Sequence, residues 1–213
     1  MSKFIETLEN VGETASAPLG FGATYKREKP VQMLLVGVLT LEQLQKQVST
    51  CLAPVHAFII LMDSKEKQIP QSLKDALASI PWGIMVNDSS VASGMVYGKE
   101  AGCDFLVFNA KSTPATVLQD DDIGKVLELE GDLDENKARA IEDLPVDAVV
   151  YLAPDDLFPL TVGSLLRLHA VRGLLGKPFI LHIGQCPNTY DLISFRDASI
   201  NGLLVDINEL KTE

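Results

Sequence analysis

Cysteine is scarce in this chain. Cys51, Cys103 and Cys186 are the only three in 213 residues, and they lie far apart. An odd number at that spacing excludes a disulfide framework and a zinc ribbon, and leaves buried apolar filler as their ordinary role. Long apolar runs are missing too: the longest are strand-sized, far short of the roughly 20 residues a membrane span requires. Positive charge is in deficit, with 18 Lys and Arg against 29 Asp and Glu and a net charge of −11. That balance opposes phosphate backbones and anionic membrane surfaces, and no cluster of basic residues interleaved with aromatics offsets it. Neither nucleic acid nor a membrane is the expected partner; a small-molecule ligand, a metal cation or another protein is. The opening residues Met1 to Thr7 hold no apolar signal core, so secretion is not expected, and a reducing, cytoplasmic setting suits the cysteines.

What is present is alternation. Hydrophobic residues make up 46% of the chain, enough for a globular core. Phe4, Ile5, Leu8 and Val11 recur at helical spacing and predict a short amphipathic helix. Gly12 to Pro30 is rich in Gly, Ala, Ser and Pro and reads as an extended arm. Gly20-Phe21-Gly22 inside it lacks the preceding strand that a phosphate loop needs. Beyond Pro30, apolar runs alternate with helical patterns: Met33–Val38, Ala57–Met62, Gly83–Val86, the run after Asp104, Lys125–Glu130, Asp147–Ala153, Phe179–Ile183 and Gly202–Ile207. Continuous apolar runs are what parallel strands covered on both faces look like. Thr40 with Gln43 forms a capping box, Asp134 and Thr161 are helix caps, and Gly176 with Pro178 marks a helix end. Residues 112–122 leave room for only a degenerate helix.

Eight strands, one beginning roughly every 20–30 residues, predict a compact (β/α)8 barrel of parallel strands over 31–213. Residues 1–30 precede it as helix and arm, all within one domain. An open doubly wound sheet is the alternative, but it accommodates eight strands on such short crossovers poorly. The last helix is truncated, since only Asn208 to Glu213 follow the eighth strand. The apolar seam between strands eight and one therefore needs a cover, and Ser2–Val11 or a second subunit (a homodimer) is expected to supply it.

The joint Glu100-Ala101-Gly102-Cys103-Asp104-Phe105-Leu106-Val107 resembles the helix–Ala-Gly-x-Asp–strand joint of aldolase-type and ribulose-phosphate-binding barrels. Leu144-Pro145-Val146-Asp147-Ala148 and Ile200-Asn201-Gly202-Leu203 are similar to it. The resemblance implies the barrel fold, and a phosphate on glycine-rich turns after strands seven and eight. Gly184 stands at the first of those turns. The second reads Asp206-Ile207-Asn208-Glu209, which repels a phosphate unless a cation intervenes.

Sites in such barrels form at the strand C-termini. Those ends carry Asp63, Asn87, Asp88, Asn109, Lys111, Glu128, Glu130, Asp155, His182 and Asp206. Alternation turns Leu127 and Leu129 toward the helices, and Glu128 and Glu130 toward the axis. Lys111 beside Glu128 or Glu130 suits acid–base or imine chemistry on a carbonyl, by a lyase or isomerase. Asp63, Asn87, Asn109 and Gly184 would contact the substrate. A second constellation, Glu128, Asp155, His182 and Asp206, has the ligand types for a divalent metal ion and resembles the order in xylose-isomerase-like barrels. A third expectation is a barrel without catalysis, a binding or assembly subunit whose mouth is plugged by Phe108, Met62 or the arm. His56 and His169 lie away from the strand ends, Trp82 reads as packing, and the Asp120-Asp121-Asp122 run as a solvated loop.

Overall fold

The computed structural model describes residues 2–12, 31–48, 55–62, 75, 77, 79–86 and 99–207. Each predicted apolar run is a strand: β1 (Leu34–Thr40), β2 (Ala57–Met62), β3 (Trp82–Val86), β4 (Phe105–Asn109), β5 (Gly124–Leu129), β6 (Ala148–Leu152), β7 (Phe179–His182) and β8 (Gly202–Asp206). All pair in parallel with their sequence neighbours, and Leu34↔Gly202 through Val38↔Asp206 joins β8 to β1 and closes the ring. The helices are α1 (Lys3–Glu9), α2 (Leu41–Val48), α3 (Glu135–Asp143), α4 (Val162–Gly173) and α5 (Thr189–Asp197). The protein is a (β/α)8 barrel with a short helix before it. Among the described residues no helix is long and apolar enough to cross a membrane.

The caps follow from local chemistry. The Thr40 hydroxyl accepts from Gln43 N while Gln43 Oε1 accepts from Thr40 N at 2.7 Å. Asp134 and Thr161 take the first free amides of α3 and α4. Helix α4 ends at Gly173, three residues before Gly176, because the Arg172 guanidinium donates to the Leu175 carbonyl and satisfies the turn there. Between β4 and β5 the helix is reduced to a 3-10 turn, Ala115–Gln119. Lys125, buried on the outward face of β5, reaches the Leu118 carbonyl and Asp121 through it.

The Asp120-Asp121-Asp122 run lies in the loop after that turn, with Asp121 and Asp122 in solvent as expected and Asp120 largely shielded. Lys99 pairs with Asp120 at 2.5 Å and with Asp122 at 3.2 Å, and Lys125 pairs with Asp121 at 3.5 Å.

Pleat alternation sorts the strand side chains into two cores. Val36, Ile59, Val107, Val126, Val150, Ile180 and Leu204 fill the lumen. Phe58, Ile60, Leu106, Leu127, Val149, Leu181 and Leu203 lie between sheet and helices, with Trp82 among them. Near the N-terminal end the inward positions are small, at Gly83, Gly124, Gly202, Ala57 and Ala148. A Cβ on Gly83 would collide with the Phe105 ring, and one on Gly124 would come within 2.9 Å of Ser2 and Ile5.

Helix α1 fills the space those small residues leave. Phe4, Ile5 and Leu8 belong to the lumen cluster, and the Phe4 ring stacks on Phe105 at 4.2 Å between centroids. This overturns the expectation that Ser2–Val11 covers the β8/β1 seam: the helix plugs the barrel's N-terminal opening. The seam is closed locally. Ile207 sits over Gly37, where a side chain would collide with it, and Leu203 and Val205 are buried on the outward face of β8.

Asp104 holds the plug. Its carboxylate accepts from Ser2 Oγ at 2.7 Å, Phe4 N at 2.8 Å and Lys3 N at 2.9 Å, so one side chain of the Ala-Gly-x-Asp joint satisfies the free amides that begin α1. Gly102 in the same joint has φ +84°, the left-handed conformation that glycine adopts without a Cβ penalty. Replacing Phe4 by Ala empties a fully buried ring site; the expected loss is about 3–5 kcal/mol of unfolding free energy, read from the urea midpoint.

Candidate functional site

The C-terminal ends of the strands carry the polar inward positions. Asn109 on β4 and Glu128 on β5 are register partners, and His182 on β7 and Asp206 on β8 follow around the ring, all partly buried. Alternation accounts for each: Val107 and Asn109, Val126 and Glu128, Ile180 and His182, Leu204 and Asp206 share inward faces, because the buried lumen member sits two residues earlier. Phe108 and Met62 belong to the helix-facing layer, so neither plugs the mouth. Asp63, Asn87, Asp88 and the arm at 13–30 lie outside the described residues.

Burial sets the electrostatics. It raises the Glu128 carboxyl above the ordinary carboxylate range, and the neighbouring Glu130 charge adds to the rise. It lowers the His182 imidazole, with the Asp206 charge opposing. Both shifts favour the uncharged form, because burial penalises the charge in each case.

Lys111 stands elsewhere. It lies two residues beyond β4, and its ammonium is 4.0 Å from Glu130 with side chains 91% and 75% exposed, a rim pair in water. Glu128 is not part of that pair among the described contacts. The Asn109 carbonyl oxygen is committed to the turn after β4, accepting from Lys111 N, Ser112 N and Ser112 Oγ. Its amide group remains for a ligand. The Thr113 hydroxyl is the one buried side-chain oxygen or nitrogen without a hydrogen-bond partner among the described residues. Gly184 is exposed, and nothing lies within 4 Å of where its Cβ would be, so the turn after β7 is open to an approaching group.

The four-residue metal constellation does not assemble. Glu128, His182 and Asp206 point into the mouth, Asp155 is exposed in the turn past β6, and among the described residues no three His, Cys, Asp or Glu side chains converge as a metal site. Alternation fixes which face a residue takes but not its height along the axis, and Asp155 is three residues past the end of β6. His56 lies at the opposite end, its Nδ1 accepting from Leu35 N at 3.0 Å, and His169 is exposed on α4.

A closed ring of parallel strands with its polar inward groups at the strand C-termini places the chain in the (β/α)8 class, where ligand sites occupy that face. No protein-family model matches the chain, and no curated protein matches it by sequence. Solved structures do. Two variants of the tryptophan synthase alpha-subunit from the hyperthermophile Pyrococcus furiosus align over 81% of this chain and 86% of theirs, at 12% identity, with TM-scores of 0.59 and 0.60. The carboxyl transferase domain of Rhizobium etli pyruvate carboxylase aligns over 82% of this chain and 40% of its own, at 9% identity and a TM-score of 0.57. At such identity the likeness is one of fold.

Glu128 makes stability pH-dependent. A carboxyl raised by folding binds more protons folded than unfolded, so unfolding free energy falls as pH rises from the ordinary carboxylate value through the Glu128 pKa. Glu128→Gln is expected to remove that slope and to be the more stable protein at neutral pH, measured by chemical denaturation across pH 4 to 8 (roughly the window where a raised carboxylate titrates). The thiols offer a second check. Burial pushes the Cys103 thiol up to about 12, and it donates to the Phe105 carbonyl, while Cys186 is exposed in the loop before α5. Alkylation at pH 8 (about half a unit below an ordinary thiol pKa) should modify Cys186 in the native protein and Cys103 only after unfolding, as read by peptide mapping.

Proposed function

We propose that this barrel is an enzyme that moves a proton on a small carbonyl metabolite, as a lyase or isomerase, with Glu128 as the general acid–base. The observation that carries this reading is Glu128 itself: a carboxyl turned inward at the strand ends, half-buried, with its pKa raised by burial and by Glu130. A carboxyl so placed gives and takes a proton closer to neutral pH than a free one, which is what proton abstraction next to a carbonyl requires. His182, kept toward its neutral form by burial, would exchange a second proton or polarise the carbonyl, and the Asp206 charge facing it would stabilise the imidazolium that results.

Lys111 and Glu130 then serve at the rim. An exposed pair contributes about 0–1 kcal/mol to stability, so Lys111 is free to exchange Glu130 for an anionic or carbonyl group arriving from solvent. Imine formation is the less supported role, because an ammonium in water keeps its proton and is a poor nucleophile. Asn109 and Gly184 would line the substrate. The partner under this reading is a small molecule, with no role for nucleic acid or a membrane.

Exchange of carbon-bound hydrogen tests the reading without a known substrate. Carbonyl metabolites incubated with the protein in D2O should lose α-hydrogen signals in proton NMR, at a rate that rises with pH through the raised Glu128 pKa. Glu128→Gln should slow the exchange by about 10²–10⁴-fold. Lys111→Ala should weaken binding more than turnover. Exchange that is absent from a broad carbonyl panel, or unchanged in Glu128→Gln, would refute the assignment.

A further inference from the structure

A cavity of about 290 Å³ lies at the N-terminal end of the barrel, opposite the mouth. Its polar lining comes from four separate places: Arg172 in the last turn of α4, Arg196 in the last turn of α5, Ser199 and Asn201 in the joint before β8, and Gln32 before β1. No carboxylate is among the described lining residues, though Asp197 pairs with Arg196 beside it. In a chain of net charge −11, a cavity lined by two guanidiniums, two amides and a hydroxyl is unusually rich in hydrogen-bond donors.

Arg172 is the centre of it. Its Nε donates to the Ser199 carbonyl at 2.9 Å, Nη1 donates to the Leu175 carbonyl, and the guanidinium stands 5.7 Å from the Phe179 ring centroid. Those partners are all neutral, and none of the ion pairs among the described residues includes it. Glu142 acts on it only through its field, being hydrogen-bonded itself to Gly176 N. Nη2 takes no partner among the described residues. A half-buried cation with a free edge is costly unless an anion completes it.

Arg196 supplies a second donor through Nη1, its fork being held by Asp197. Asp197 occupies its Nε and Nη2, at 2.9 and 2.7 Å, and Nη1 reaches Gln32 Oε1 at 3.4 Å, a long contact that a better acceptor would replace. The Asn201 carbonyl oxygen accepts from Phe179 N at 2.9 Å, which leaves its amide hydrogens for the cavity. Capping of helix carbonyls explains two of the Arg172 bonds. It explains neither the free edge nor the meeting with Arg196 and Asn201 around one space.

We infer that this cavity binds a small oxyanion, the phosphate or carboxylate group of a metabolite, between Arg172 and Arg196. Planar guanidinium forks match the paired oxygens of both groups. The bound anion would bridge the ends of α4 and α5 to the segment leading into β1, across the β8/β1 closure. The inference is independent of the activity proposed for the mouth.

The test uses the full chain. Thermal unfolding and titration calorimetry are run with inorganic phosphate and, separately, with succinate, against chloride at matched ionic strength. The expected result is saturable stabilisation by one of the two; phosphate alone or succinate alone identifies the group. Arg196→Gln, at an exposed position that leaves the packing intact, should weaken binding about tenfold, and Arg172→Lys, which keeps the charge but loses the fork, by at least as much. Stabilisation no greater than that of chloride, or wild-type affinity in both variants, would overturn the inference. Binding lost in Glu128→Gln and kept in the arginine variants would do the same, since it would place the anion at the mouth.

Discussion

The structure depends on how the N-terminal opening of the barrel is filled. Eight parallel strands enclose a lumen in which five of the lower inward positions, Ala57, Gly83, Gly124, Ala148 and Gly202, are glycine or alanine, leaving space beside Leu34 and Phe105. A closed sheet around an unfilled centre would forfeit the dispersion contacts and apolar burial that stabilise it. Phe4, Ile5 and Leu8 supply the missing volume from a helix that is not part of the ring, and Phe105 meets them from β4 because Gly83 makes room for its ring. Asp104 fixes that helix by its first amides. With the lower end closed in this way, the upper end is left for polar groups.

The same Asx position recurs around the lower rim with a related task. Asp147 accepts from Lys125 N at 2.7 Å and Asn201 from Phe179 N at 2.9 Å, each tying the start of its strand to the strand before it. The left-handed residue two positions ahead of the Asx is Gly102 in one joint and Ser199, with φ 59°, in another. Repetition of the joint thus reflects one hydrogen-bonding problem solved several times: amides at the edge of a parallel sheet have no strand partner and take a side chain instead. The upper rim faces the opposite demand, and there burial acts on Glu128 and His182 to keep proton affinity adjustable.

Much of this was legible in the residues. Strands read clearly because a sheet covered on both faces demands unbroken apolar runs, and alternation separated Glu128 from Leu127 and Leu129 because the pleat repeats every two residues. What lay beyond the strands did not read. Lys111 is two residues past β4, where the pleat no longer dictates direction, and it ended in solvent. Asp155 shared a ring position with the other candidate ligands but not their height. The acidic run is solvated at Asp121 and Asp122 as it read, but the Lys99 that shields Asp120 comes from another element and could not be foreseen. Arg172 and Arg196 read as ordinary basic residues near helix C-termini, and only the packing of four segments places them around one cavity. The amphipathic helix was evident, but a hydrophobic face does not name the surface it will meet.

The bond between Ser2 and Asp104 spans 102 positions, and the same helix rests Ile5 against the Gly124 position and Leu8 beside Gly202. The seat of α1 is therefore composite: it draws on β4, β5 and β8 at once, so no one βα unit can hold the helix, and the helix in turn ties distant parts of the ring together.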